Sequence, residues 1–158
     1  MQPDTLIINP SGKPVVSCVV VDCDAASVWK MVGHFGGFDA FIPALSHIEM
    51  TGTGRGSLRK KFFHDGNLVV EQLNSRDEQL MCMTWTAIYN TLGIARMWAA
   101  MSVESLGEQR SKVTWTIIAE PVEQELEAFE AFVQAFADSA LAQVRQLLCR
   151  SELAREGR

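Results

Sequence analysis

The sequence predicts an α+β fold, a curved antiparallel sheet closed by one long C-terminal helix, and three observations carry that prediction. Between Glu123 and Arg150, residues Leu126, Phe129, Val133, Phe136, Ala140, Val144 and Leu147 recur every three or four positions. They make one apolar stripe on a helix of roughly 40 Å at about 1.5 Å per residue. From Ser46 to Glu120, strand-like runs alternate with turn signals and no helical period is sustained. The connections in that stretch are short, which favours antiparallel neighbours, because a parallel crossover needs about a dozen residues or more.

The first strand is expected over 15–23, a β-branched run entered through Pro14. Asp24 then occupies an N-cap position ahead of Ala25-Ala26-Ser27-Val28-Trp29-Lys30-Met31-Val32, with Val28, Trp29 and Val32 sharing a face. Gly33 is placed to close this short helix in the left-handed conformation. Another turn or two is expected over Gly36–Ile42 before Pro43. Six further strands are expected at 46–51, 57–63, 67–74, 80–88, 95–105 and 111–119, divided by glycine-, aspartate- and asparagine-rich turns. The last helix takes 123–150, with Glu123, Glu125, Glu127 and Glu130 near its positive end and Arg145 and Arg150 near its negative one. Ser151–Arg158 is expected to fray. An apolar stripe of this length must be covered, and only the sheet is large enough to cover it. A six- or seven-stranded sheet twists enough to curl around such a helix and leave a cavity between the layers.

At 158 residues the chain has the length of one ordinary domain, and at that size no metal or disulfide is needed to hold it. Hydrophobic content of 47% against 21% charge lies far from the disordered regime. A formal net charge of −5 argues against a nucleic-acid backbone or an anionic membrane surface as the main partner. The densest basic run, Arg59-Lys60-Lys61, would split between two faces of a strand. Cys18, Cys23, Cys82 and Cys149 have no metal-ligand spacing and read as reduced, mostly buried thiols of a cytoplasmic protein. No run approaches the roughly 20 apolar residues that span a bilayer, and the first ten residues lack the features of a signal peptide. No metal site and no cofactor is expected.

Four short motifs then occur in order: Val28-Trp29-Lys30-Met31-Val32-Gly33-His34-Phe35-Gly36-Gly37-Phe38, Ile42-Pro43, Gly54-Arg55-Gly56-Ser57-Leu58-Arg59 and Val70-Glu71-Gln72-Leu73. Together they resemble the START and pollen-allergen superfamily (SRPBCC), in its polyketide cyclase/dehydrase and lipid transport branch. The likeness runs over about 14–150 and implies a single helix-grip domain, a seven-stranded antiparallel sheet wrapped around the C-terminal helix, with two short helices at one end of the cavity. The branch is also similar to the plant abscisic-acid receptors, in which an arginine and a glutamate on adjacent strands enter the pocket. Arg59 and Glu71 match them. The receptors' long gate loop has no counterpart in the short His64-Asp65-Gly66 connection, and their pocket lysine has none near Ser46-His47. Hormone sensing by that mechanism is therefore not expected.

The hairpin at this connection has two possible registers. A three-residue loop with Gly66 in the left-handed slot sets Arg59 opposite Glu71. A two-residue Asp65-Gly66 loop sets Arg59 opposite Gln72 and turns Glu71 to the other face. Both suit the residues, and the resemblance favours the first. With Arg59 and Glu71 inward, Lys61, Phe63, Val69 and Leu73 share their face. Met83, Trp85, Trp98 and Ala100 are expected to follow, and Phe129, Val133, Phe136 and Ala140 to roof the space from the helix. Each aromatic or methionine has an equally ordinary role as core filler, Trp29 above all. Arg59 and Glu71 could equally form a structural ion pair. His34, His47 and His64 share no motif, and no GxSxG, HExxH or glycine-rich phosphate loop is present.

The leading expectation is a module that binds a small hydrophobic molecule, a lipid, polyketide or other aromatic. The second is a cyclase/dehydrase-type enzyme in the same cavity, with Arg59 as electrophile and Glu71 as base. The third is an interaction protein whose cavity is filled by side chains. Leu6-Ile7-Ile8 suits either a contact along a neighbouring chain or a free end, so a homodimer stays open.

Overall fold

The computed structural model describes residues 10 and 12–156. Seven strands, β1 (Val15–Val21), β2 (Leu45–Thr51), β3 (Leu58–Phe63), β4 (Leu68–Asp77), β5 (Cys82–Asn90), β6 (Ile94–Gly107) and β7 (Arg110–Pro121), form one antiparallel sheet. Their order across the sheet is β1-β7-β6-β5-β4-β3-β2. Helix α1 (Ala25–Val32) and a 3-10 segment (Phe35–Ala40) follow the first strand, and helix α2 (Leu126–Glu156) closes the chain. This is the helix-grip arrangement. The segment Leu6-Ile7-Ile8 lies outside the described residues.

Breaks in strand register, between Leu45 and His47, Val70 and Glu71, and Leu73 and Ser75, bend the sheet into its curve. Backbone approach to α2 is densest along β1 and then β7. Ser17 Oγ donates to Asp138 Oδ1 at 2.6 Å, and Gln134 Nε2 donates to the Val16 carbonyl at 3.0 Å. The helix is thus fastened to one end of the curved sheet. The other end, β3 and β4, curls beneath it at a distance, and that separation makes room for a cavity.

Two local expectations change. Helix α2 starts at Leu126, so Glu123 and Glu125 precede it, and its first backbone bond runs from Phe129 N to Glu125 O. Its buried line is Phe129, Val133, Ala137, Ala140, Leu141 and Val144, while Leu126 is exposed and the helix continues to Glu156. Gly33 caps α1 with φ −90°, outside the left-handed region. Glycine is needed there for space, because a Cβ would lie 2.5 Å from the Trp29 ring. Asp24 caps the other end as expected, its carboxylate accepting from Ser27 N at 3.0 Å.

Trp29 packs in the core and donates through Nε1 to Glu78 Oε2 at 2.9 Å. Arg76 stacks over the same indole, its guanidinium 4.8 Å from the ring centre, and donates to the Gly33 carbonyl. These contacts tie α1 to the β4–β5 turn. Cys18 differs from the expectation of buried thiols, since β1 presents it to solvent.

Candidate functional site

The β3–β4 hairpin decides where the charges go. Phe63 N donates to Asn67 O at 2.9 Å and Gly66 N to Phe63 O at 3.1 Å, closing the three-residue loop His64-Asp65-Gly66. Gly66 holds φ 93°, the left-handed slot this loop demands. Asp65 braces the turn by accepting from Asn67 N at 2.9 Å. The resulting register places Arg59 opposite Glu71 and Lys61 opposite Val69. Arg59, Lys61 and Glu71 therefore all point inward, and all three are buried.

They form a connected group. Arg59 Nε donates to Glu71 Oε1 at 2.7 Å, and Lys61 Nζ lies 3.1 Å from the same oxygen. Arg59 Nη1 donates to the Phe35 carbonyl at 2.7 Å. Its guanidinium sits against the rings of Phe35 and Phe38, 3.9 and 4.0 Å from their centres, with Trp85 at 4.8 Å. Burial works to raise the Glu71 carboxyl, yet the Lys61 and Arg59 charges outweigh it and hold the group below the ordinary carboxylate range. For Lys61, burial dominates and pushes the ammonium down, against the pull of Glu71. With all three ionised, two cations share one carboxylate. Arg59 Nη2, Glu71 Oε2, Trp85 Nε1 and Trp115 Nε1 are buried polar atoms without a hydrogen-bond partner in the protein.

Beside this group a cavity of about 280 Å³ lies between the sheet and α2. Lys61 and Glu71 supply its charged end. The walls are Phe63 and Val69 from the hairpin, Ile94, Met97 and Ala99 from β6, and Trp115, Ile117 and Ala119 from β7. Val133, Phe136 and Phe132 roof it, with Ala44, Asp65 and Leu92 also in the lining. Phe132 is exposed and stacks on Phe136 at 6.5 Å.

Six residues expected to face one interior space, Lys61, Glu71, Phe63, Val69, Val133 and Phe136, are brought together here. Five are placed elsewhere. Arg59 is walled off behind Phe35 and Phe38. Leu73, Met83 and Trp85 lie deeper in the packed core on the same face, and Phe129 is core on α2. Trp85 completes an aromatic floor, 5.9 Å from Phe35, 5.6 Å from Phe38 and 6.3 Å from Trp115. Trp98 is corrected outright: Met97 and Ala99 point into the cavity, so alternation sends Trp98 to the outer face, opposite Thr86 and Ile118. Ala100 has the opposite sense to Ala99 for the same reason.

The cavity residues missed by sequence reasoning come mainly from β6 and β7, with Ile94, Met97 and Ala99 on the first. Trp115, Ile117 and Ala119 alternate with Thr116 and Ile118, an inward-facing signal that the register with β6 makes usable. His34, His47 and His64 do not converge. His47 stacks on Phe62 at 4.4 Å on the exposed edge strand. Among the described residues no cluster of His, Cys, Asp or Glu is arranged to hold a metal ion. No helix of the described residues is long and apolar enough to cross a membrane.

A curved seven-stranded antiparallel sheet gripping one long C-terminal helix defines the helix-grip class. Residues 15–148 match the family described as "Polyketide cyclase / dehydrase and lipid transport", and the chain belongs to that family. No curated protein sequence matches it significantly. Among solved structures it is similar to XoxI from Bacillus cereus, with TM-score 0.81 and 18% identity over 88% of this chain and 97% of that one. It is also similar to the Zhui aromatase/cyclase from Streptomyces, with TM-score 0.77 and 15% identity over 87% of this chain and 94% of that one. A protein from Thermobifida fusca shares 23% identity at TM-score 0.73, over 87% and 93% of the two chains. At these identities the likeness establishes the fold.

Proposed function

We propose that the protein binds a small hydrophobic molecule in the cavity between sheet and helix, the ligand's polar end meeting Lys61 and Glu71. The observation that carries this reading is the pairing of an apolar space with one buried, incompletely hydrogen-bonded charged end. Cavities that recognise small molecules are mostly apolar with a few convergent polar groups, and this one has that composition. Its size, at the lower end of such sites, favours a compact molecule over a long lipid. A core filled by its own side chains fits less well, because Phe136 lines the space without closing it while Trp85 and Trp98 stand outside it.

The family name and the Streptomyces neighbour bring a cyclase reaction into view, but the residues here suit holding better than turnover. Arg59 is stacked between phenylalanine rings away from the cavity, so it is badly placed to polarise a carbonyl. Glu71, kept ionised by two cations, is a weak base. Native mass spectrometry of freshly purified protein, followed by denaturing extraction, tests the binding reading. A bound small molecule that is lost when the cavity is blocked supports it. Empty protein that also gains no thermal stability from a panel of lipids and aromatics overturns it.

A further inference from the structure

The charge count at the closed end of the cavity carries the argument one step beyond hydrophobic binding. Arg59, Lys61 and Glu71 are all within the buried core, and together they hold one more positive charge than negative. Arg59 accounts for Glu71: it is the direct cross-strand partner, bonded at 2.7 Å and sealed by Phe35 and Phe38. The surplus charge is therefore assigned to Lys61, whose side chain lines the cavity where Arg59 does not. Lys61 shares the Glu71 carboxylate with Arg59, so in a poorly solvated site the group keeps a net positive charge that is costly, and the natural relief is a counter-charge brought in with the ligand.

Hydrogen-bond donors point the same way. An ammonium has three N–H groups and Glu71 Oε1 engages one direction. Trp115, also in the lining, has a buried indole N–H with no protein acceptor. Against these stands one unpartnered acceptor, Glu71 Oε2, which a hydroxyl on the same ligand would satisfy. The only other carboxylate in the lining, Asp65, is exposed at the mouth and already accepts from Asn67, so solvent screens it.

We infer that the ligand is an amphiphilic acid, a compact apolar body carrying one anionic oxygen head, carboxylate or phenolate, which docks on Lys61 Nζ beside Trp115. This rests on the binding reading above and names the chemical class that the reading leaves open. Lys61 is then the residue that selects for charge, while the apolar walls accept bodies of varied shape.

The test uses matched pairs of probes on the whole protein: octanoate against octanol, and naphthoate against naphthalenemethanol. Affinities are read from intrinsic tryptophan fluorescence, in the wild type and in Lys61→Met. The expected result is that each acid binds the wild type about tenfold or more tighter than its alcohol. In Lys61→Met the acid's advantage disappears while the alcohols still bind, which also shows that the variant is folded. If acid and alcohol bind the wild type equally, the cavity reading stands and the acid class is overturned. If Lys61→Met keeps the preference, Lys61 is the wrong anchor and the inference falls. If none of the four probes binds, the cavity reading fails, and this inference with it.

Discussion

Arg59 Nε and Glu71 Oε1 are 2.7 Å apart across adjacent strands, both fully buried, with Lys61 Nζ on the same oxygen. The two cations are unequal partners. Removing Arg59 leaves Glu71 only the more distant Lys61 ammonium, frees the Phe35 carbonyl and empties the space between the Phe35 and Phe38 rings. Removing Lys61 instead leaves a neutral pair with its shortest hydrogen bond intact. Arg59→Met should therefore cost about 3–5 kcal/mol, as breaking a buried pair does, and Lys61→Met under about 1 kcal/mol. Urea unfolding of the two variants decides it. Equal losses would mean that the triad acts as one unit and that Lys61 is structural.

The same group sets the direction of the pH dependence. The folded pKa of Glu71 lies below its ordinary value near 4.5, so its contribution is present above that pH and is lost as pH falls through the folded value. Lys61 is also depressed, from 10.5, so below that pH the unfolded chain binds the proton more readily and stability rises as pH climbs toward it. Both slopes have one sign. Urea midpoints measured from acid to alkaline pH should rise in the wild type, and Lys61→Met should lose the alkaline rise alone. An unchanged alkaline limb in that variant would contradict the assignment.

Ala119 lines the cavity on β7, and a large side chain there has space to enter. Ala119→Phe should weaken binding of any cavity ligand by about tenfold or more while moving stability by less than roughly 1 kcal/mol, since the added ring fills existing volume. Probe titration together with thermal melting separates a blocked site from a damaged fold. Unaltered affinity in a folded variant would place the ligand elsewhere.

Two tryptophans give opposite predictions. Trp115 lines the cavity and Trp98 lies on the outer face. Trp98→Phe should leave the ligand-induced fluorescence change intact, and Trp115→Phe should remove most of it. The reverse result would show that the ligand sits on the convex side of the sheet.

Gly66 keeps the hairpin in register through its left-handed backbone, with no neighbouring atoms to obstruct a Cβ. Gly66→Ala should thus cost about 1 kcal/mol from backbone strain alone, measured by urea unfolding. A loss several times larger would indicate that the loop had changed type and turned Glu71 away from Arg59.

The element order was legible in the residues because each element carries its own local period. The apolar step of three or four marked α2, β-branched runs marked the strands, and Asp24 marked the start of α1. Six of the sixteen lining residues were equally legible, since Lys61, Glu71, Phe63, Val69, Val133 and Phe136 follow from one hairpin register and one helix face. That register itself was ambiguous in the sequence, two loops being compatible with Asp65-Gly66, and only the bonds from Phe63 N to Asn67 O and from Gly66 N to Phe63 O resolve it.

What the tertiary structure alone decided is the depth of each side chain. Alternation along a strand specifies a face, but it says nothing of how far the opposite layer stands from that face. Helix α2 is tied to β1 at Ser17 and Val16, so the core closes around Met83, Trp85 and Phe129 and opens beside Lys61 and Trp115. Trp98 was misplaced because the pairing of β5 with β6 depends on contacts remote in sequence. Arg59 was read as a pocket residue because its strand position is right; the rings of Phe35 and Phe38, brought over it by a segment more than twenty residues earlier, are what remove it from the cavity. Local periodicity determines which way a residue points, and the packing of distant segments determines what it meets there.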